Sequence, residues 1–179
     1  VLFRSTDCVM KRIALISTGG TIEKTYNELD GILSNQLSVL DVMLASLEIN
    51  GIEVVRAPLM NKDSMDMSQA DHQLIAETAV KMAADHDGVV IVHGTDRLTE
   101  SGECLCAVCP QPPVPVVFTG AMRPYELRQT DAIQNLTEAL LAVQLVEPGV
   151  YLAMHNQVLQ FPGVEKDRER GTFVKPGGA

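Results

Sequence analysis

An α/β fold, with three α/β/α layers around a mostly parallel sheet, is predicted for this 179-residue chain by three observations. Short apolar runs alternate with segments of helical spacing along the whole length. One run, residues 89–92, contains only Val and Ile, as in a strand buried on both faces of a parallel sheet. Three runs also end in turns rich in glycine and threonine, and in such sheets ligands bind where the outgoing loops gather.

The elements follow in order. Residues 12–17 form a strand that enters the tight turn Thr18-Gly19-Gly20. The polar stretch 18–35, with Asp30-Gly31 as a turn dipeptide, is too long for a plain connector and reads as a lid or hairpin. Ser38 caps a helix whose Val39, Leu40, Met43, Leu44 and Leu47 share a face, and Asn50-Gly51 ends it. A strand follows at about 52–57 and a polar loop at 60–67. Ser68 with Asp71 opens a helix to about residue 85, with Leu74, Ile75, Thr78, Ala79 and Met82 on its inner face. Asp87-Gly88 introduces the strand that stops at His93-Gly94-Thr95-Asp96. A helix at about 98–108 is broken by the proline-rich stretch 110–115, and strand 116–118 ends at Thr119-Gly120. Thr130 caps the longest helix, 131–146, with Ile133, Leu136, Leu140 and Val143 inward; Pro148-Gly149 leads into strand 150–154.

Composition narrows the function classes. Hydrophobic residues make up 46% and charged residues 21%, mixed along the chain, which excludes a disordered or low-complexity protein. With 14 Lys+Arg against 23 Asp+Glu the formal charge is −9, which repels phosphate backbones and anionic lipid, so neither nucleic acid nor membrane is an expected partner. No apolar run approaches the roughly 18 residues that span a bilayer, and the first ten residues lack the features of a signal peptide, so a cytoplasmic setting is expected. Residues 1–10 read as an upstream extension and 11–179 as one domain. Cys8 lies in the extension, and Cys104, Cys106 and Cys109 stand too close together to staple distant elements. On a helix their thiols point in different directions, so inert thiols are expected there and no metal.

The three glycine-threonine loops read 18–21, 93–96 and 119–123. On their residues alone they are either plain turn chemistry or hydroxyls facing one cavity. The phosphate-cradling patterns G-x-x-x-x-G-K-[ST] and G-x-G-x-x-G are missing. A hydroxyl nucleophile needs a base, and Lys166, in the polar segment 163–168, is either that base or a solvated loop residue. His72, His86 and His155 stand alone and are expected to be exposed or structurally bonded. Arg123 either anchors a carboxylate or pairs with Asp131.

Taken together and in order, Ile16-Ser17-Thr18-Gly19-Gly20-Thr21-Ile22, His93-Gly94-Thr95-Asp96 and Gly120-Ala121-Met122-Arg123-Pro124 resemble three signatures of the bacterial-type L-asparaginase/glutaminase amidohydrolases. The likeness runs from about residue 11 to residue 170, matches that family's N-terminal domain, and is greatest to a short single-domain L-asparaginase; the chain stops where the usual second domain would begin. The resemblance implies hydrolysis of a side-chain amide through a threonine acyl-enzyme, with no metal or organic cofactor. It implies Thr21 as nucleophile, Tyr26 as its assistant, and Thr95, Asp96 and Lys166 as a Thr–Lys–Asp relay. It places Gly20, Ser64, Met65, Gly94 and Asp96 around the substrate, Ser64 on its α-carboxylate and Asp96 on its α-amino group. Met65 stands where the family often has glutamine or serine. His93 is given a loop-shaping part.

Two-domain relatives support the tyrosine with an acidic residue from a neighbouring subunit; here the resemblance implies either weaker activity or another carboxylate, such as Glu23 or Glu28, in its place. The resemblance also implies a homo-oligomer, dimer or tetramer, acting on a small molecule. The alternatives are a glutaminase or broader amidase of the same family, and a non-catalytic module binding an amino acid or nucleotide. Archaeal tRNA-dependent amidotransferase subunits share the signatures, and the acidic charge counts against that use.

Overall fold

The computed structural model describes residues 10–34 and 38–177. Its elements run β1 (Lys11–Gly19), a 3₁₀ turn (Thr21–Glu23), the hairpin β2 (Thr25–Asn27) and β3 (Ile32–Ser34), α1 (Leu40–Ala45), β4 (Ile52–Lys62) and a second 3₁₀ turn (Ser64–Asp66). Then come α2 (Gln69–Ala83), β5 (Gly88–Val92), α3 (Leu98–Val108), β6 (Pro115–Thr119), α4 (Ala132–Leu145), β7 (Gly149–Met154), β8 (Gln157–Gln160), β9 (Glu165–Asp167) and β10 (Thr172–Val174). The expected extension falls outside the described residues, apart from Met10.

Six strands form one sheet in the order β4-β1-β5-β6-β7-β8; the first five are parallel and β8 closes the edge antiparallel. The central strands are apolar without alternation because both their faces are covered. Ile13, Leu15, Val90, Val92 and Val117 pack on one side with Leu40 and Met43 of α1 and Leu136, Leu140 and Val143 of α4. Ala14, Ile16, Val89, Ile91, Val116 and Phe118 pack on the other with Ile75 and Ala79 of α2 and Leu98 and Leu105 of α3. This is the expected three-layer arrangement.

The strand order sets the place of any site. From β1 the chain leaves through the hairpin toward α1; from its neighbour β5 it leaves toward α3 on the opposite face. Loops that diverge from adjacent parallel strands open a crevice at their carboxyl ends. The loops beginning at Gly20 and His93 flank that crevice.

Several elements differ from expectation. Helix α1 is only six residues long and starts after Val39; the Ser38 hydroxyl donates instead to Glu23 Oε1 (2.6 Å), and Ser46 Oγ donates to the Met43 carbonyl (2.6 Å) where the helix stops. Strand β4 runs past Pro58 to Lys62 through a register shift against β1, a place where an edge strand tolerates proline. In α2 the buried face is His72, Ile75, Ala76, Ala79 and Ala83, while Leu74 is exposed. The alanines seat this helix close to the sheet. Within the stretch read as a lid or hairpin, residues 25–34 form a two-stranded hairpin, with Tyr26 paired to Leu33. Among the described residues, no helix is long and apolar enough to cross a membrane.

Candidate active site

Glycine sets the spacing at the crevice. Gly19 and Gly20 have φ of 96° and 83°, a region that disfavours side chains. A Cβ on Gly20 would lie 2.4 Å from Gly94 Cα, one on Gly94 would lie 2.6 Å from Ser64 Oγ, and one on Gly120 would lie 2.3 Å from the His93 carbonyl oxygen. The loops after β1, β4, β5 and β6 therefore touch at close quarters, and only residues without a Cβ allow it. Thr21 follows directly, half-buried, at the start of the first 3₁₀ turn, in a position flanked by Gly20 and Ile22.

The second part of the site comes from the other end of the chain. The β9–β10 hairpin pairs Lys166 with Phe173, and Phe173 and Val164 are buried in the core beneath it. Residues directly opposite in an antiparallel pair share a face, so pairing with buried Phe173 directs the lysine inward. Its Nζ donates to Thr95 Oγ1 and to Asp96 Oδ1, both at 2.9 Å. Arg168 Nη1 reaches the same Asp96 oxygen at 3.3 Å. Thr95 is buried and Asp96 half-buried. The Arg168 side chain is exposed, and no local signal marks its contact with a residue 72 positions away.

The remaining named residues are arranged around this cluster. Ser64 is buried, held in a 3₁₀ turn capped by the Asp63 side chain, which accepts from Met65 N. Lys24 bonds the same Asp63 at 2.6 Å, tying the Thr21 turn to the Ser64 turn, and that bond holds the Asp63 carboxyl below its usual range. Met65 and Tyr26 are exposed, at 59% and 60%, and the Tyr26 hydroxyl lies beside Gly31 of its own hairpin. Glu23 is engaged elsewhere: that carboxylate is buried, accepting from Gly19 N (3.1 Å) and Ser38 Oγ, and burial raises its pKa. Glu28 is exposed on the hairpin turn. The carboxylate that does touch the hairpin is Glu126, which accepts the Tyr26 backbone N–H at 2.6 Å.

Two buried networks brace these loops. Asp131 accepts from Met122 N (3.0 Å), Arg123 N (2.9 Å), Asn135 Nδ2 (2.9 Å) and His155 Nε2 (2.7 Å), and His155 Nδ1 meets Thr172 Oγ1 (3.1 Å) on the lysine-bearing hairpin. Burial pushes the Asp131 carboxyl up, but the bonds from Met122, His155 and Arg123 outweigh it and hold it low. Arg123 approaches Asp131 at 3.9 Å, the structural pairing expected of it. Behind Gly94, His93 and His72 share Ser101 Oγ, at 2.8 and 2.7 Å. Cys104, Cys106 and Cys109 are half-buried, and burial pushes the Cys106 thiol to about 11. Among the described residues, the clefts at α4, at the proline-rich turn and beside Glu165 do not have Thr21, Thr95 or Lys166 in their walls. At the crevice itself the glycine contacts bring the loops together.

Comparison with known proteins gives the same family. The family model described as Asparaginase, N-terminal, matches residues 12–172. L-asparaginase of Thermococcus kodakarensis is 30% identical over 162 residues, 89% of this chain and 49% of that protein. The solved structure of the thermostable L-asparaginase from the same organism superposes with a TM-score of 0.80 at 29% identity, over 92% of this chain and 51% of that one. A component of the glutamyl-tRNA(Gln) amidotransferase of Haloquadratum walsbyi is 36% identical over 145 residues, 80% of this chain and 33% of that polypeptide. The chain thus spans about half the length of the L-asparaginase and a third of the amidotransferase component.

Proposed function

This chain belongs to the asparaginase family, and from that premise we propose that it hydrolyses the side-chain amide of L-asparagine to L-aspartate and ammonia. The observation that carries the reading is the Lys166 amine, 2.9 Å from both the Thr95 hydroxyl and the Asp96 carboxylate, beside the loop that holds Thr21. In this mechanism Thr21 Oγ attacks the amide carbon as its proton passes through Thr95 Oγ1 toward Lys166. The C–N bond breaks, the nitrogen takes a proton and leaves as ammonia, and an ester remains on Thr21. Water then attacks the ester, releasing aspartate and restoring the hydroxyl. Tyr26 assists Thr21 from the hairpin, and the Thr95 backbone N–H stabilises the oxyanion.

An amino-acid substrate also needs partners for its two charges, and buried groups left unpaired by a wrong ligand enforce selectivity. Ser64 takes the α-carboxylate, with Met65 beside it; Asp96 takes the α-amino group; Gly20 and Gly94 form the wall between them. Both basic side chains on Asp96 sit on Oδ1, and among the described residues no bond occupies Oδ2. The resemblance to relatives supports a homo-oligomer, dimer or tetramer, in the same proposal. Activity is expected without added cofactor.

The test is ammonia release from L-asparagine beside L-glutamine and D-asparagine. Thr21→Ala and Lys166→Ala each lower turnover by at least about 10³-fold with the fold intact by circular dichroism. Wild-type-like turnover in either variant overturns the assigned role. The likeness to an amidotransferase component favours a second reading, an amide-hydrolysing component with glutamine as donor. Turnover of L-glutamine at least as efficient as that of L-asparagine would support it; the charge of −9 speaks against direct contact with RNA.

A further inference from the structure

One cluster of buried titratable groups has no part in the steps above. His93 and Ser101 are fully buried and His72 is 1% exposed, yet all three are polar and joined in a single chain. His93 Nδ1 lies 2.8 Å from the Gly94 carbonyl oxygen and His93 Nε2 lies 2.8 Å from Ser101 Oγ. His72 Nδ1 lies 2.7 Å from the same Ser101 oxygen, and His72 Nε2 faces Glu100 Oε2, at the surface, at 3.4 Å. The two imidazoles are stacked with centroids 6.3 Å apart, and Phe118 meets His93 edge-on at 6.2 Å.

The donor order in this chain has one solution. A carbonyl oxygen only accepts, so His93 Nδ1 carries a proton and donates to Gly94. Burial holds the His93 pKa down, to about 4, so at neutral pH its Nε2 is an acceptor. Ser101 must then donate to His93, which leaves its oxygen to accept from His72 Nδ1. Each ring is thereby fixed as the Nδ1–H tautomer by its neighbour.

What the chain holds is a single peptide unit. In a trans peptide the C=O and the following N–H point in opposite directions. Pinning the Gly94 carbonyl back onto His93 therefore aims the Thr95 N–H the other way. That residue is 4% exposed, and among the described residues no acceptor takes its N–H. Movement of the same peptide is restricted on its flanks by Ser64 and Gly20, whose atoms leave no room for a Cβ. A buried backbone donor without a partner is costly, and one aimed beside the Lys166-bonded hydroxyl is placed to meet negative charge on a reacting oxygen.

We propose that His72, Ser101 and His93 form a positioning relay that sets the direction of the Thr95 N–H as an oxyanion donor by anchoring the Gly94 carbonyl behind it. The inference rests on the amide-hydrolase reading for its catalytic consequence, while the tautomer pattern stands apart from it. His93→Leu removes the anchoring donor. His93→Asn keeps an N–H close to the Nδ1 position, and Ser101→Ala cuts the chain in the middle.

With the full chain and L-asparagine, His93→Leu and Ser101→Ala are expected to lower kcat by about 10²-fold with KM changed less than about threefold, and His93→Asn to recover most of the loss. A merely structural role would make Asn as damaging as Leu, and that result, with both variants folded, overturns the proposal. Imidazole ¹⁵N chemical shifts of the wild type supply a readout independent of turnover. Neutral Nδ1–H forms for both His72 and His93 at pH 7 support the relay, and an Nε2–H form at His93 overturns it. If the wild type hydrolyses none of the amides, the functional reading fails, and the tautomers alone decide the anchoring of Gly94.

Discussion

Asp96 carries two basic side chains on one oxygen, Lys166 at 2.9 Å and Arg168 at 3.3 Å, and the two differ in setting. The lysine side chain is 14% exposed and the arginine 68%, so the arginine contact is screened and its loss is worth little in stability. His93 is the residue whose burial has the clearest thermodynamic consequence. Its folded pKa, about 4, lies below the ordinary 6.5. Between those values the unfolded chain binds a proton that the folded chain does not, so stability is full above pH 6.5 and falls as pH drops toward 4. The whole effect amounts to about 3 kcal/mol at most. His72, also lowered by burial, adds to the same acid limb. Melting temperature measured from pH 8 to pH 4 should therefore fall less steeply in His93→Asn than in wild type; identical slopes would show that His93 titrates normally.

Among the elements, α2 illustrates how far local pattern reaches. Its start is written in four residues: Ser68 Oγ accepts from Asp71 N, and Asp71 Oδ2 accepts from Ser68 N at 2.8 Å, a reciprocal cap. Ser68→Ala should cost about 1 kcal/mol in urea unfolding, and a loss below about 0.3 kcal/mol would mean that Lys62, which bonds Asp71 at 2.7 Å, holds the turn by itself. The buried face of the same helix is not local information. Apolar spacing favours Leu74, but the helix is turned so that His72 is buried, because its partner Ser101 arrives 29 residues later on α3. Strands β1, β5, β6 and β7 and helix α3 were legible because continuous apolar runs and breaker residues mark them. β8, β9 and β10 are short and polar and were not. The Thr95–Asp96–Lys166 cluster spans 70 positions from Asp96 to Lys166, and only the family resemblance, never spacing, pointed to it. Glu126 and Arg168 carried no signal at all, since each acts through a contact that exists only once the sheet has formed.

At the scale of the whole molecule, the site depends on how strand order and glycine combine. The order β4-β1-β5 puts the Gly20 and Gly94 loops next to each other at the point where the chain departs to opposite faces. Strand pairing below is ordinary and heavily buried, with Ile13 to Ile16 and Val89 to Val92 excluded from solvent. The upper contact is different, since it requires two backbones to meet without side chains. Gly20→Ala tests this division directly. Its Cβ would lie 2.4 Å from Gly94 Cα and 2.5 Å from Gly94 N, in a residue with φ of 83°. Neither backbone atom can swing aside as a side chain would, so the two loops must separate, and Thr21 moves with one while Thr95 moves with the other. The cost in stability should be that of local overpacking, about 1–3 kcal/mol, because the strands beneath remain paired. The loss in turnover should be far larger, about 10²-fold or more, since a misplacement near 1 Å between reacting groups has that effect. Far-UV circular dichroism, urea unfolding and ammonia release on the same sample separate the two. A variant that unfolds cooperatively like wild type yet is nearly inactive supports a site assembled by this contact, whereas retained turnover would show that the Gly20–Gly94 approach is dispensable to the chemistry.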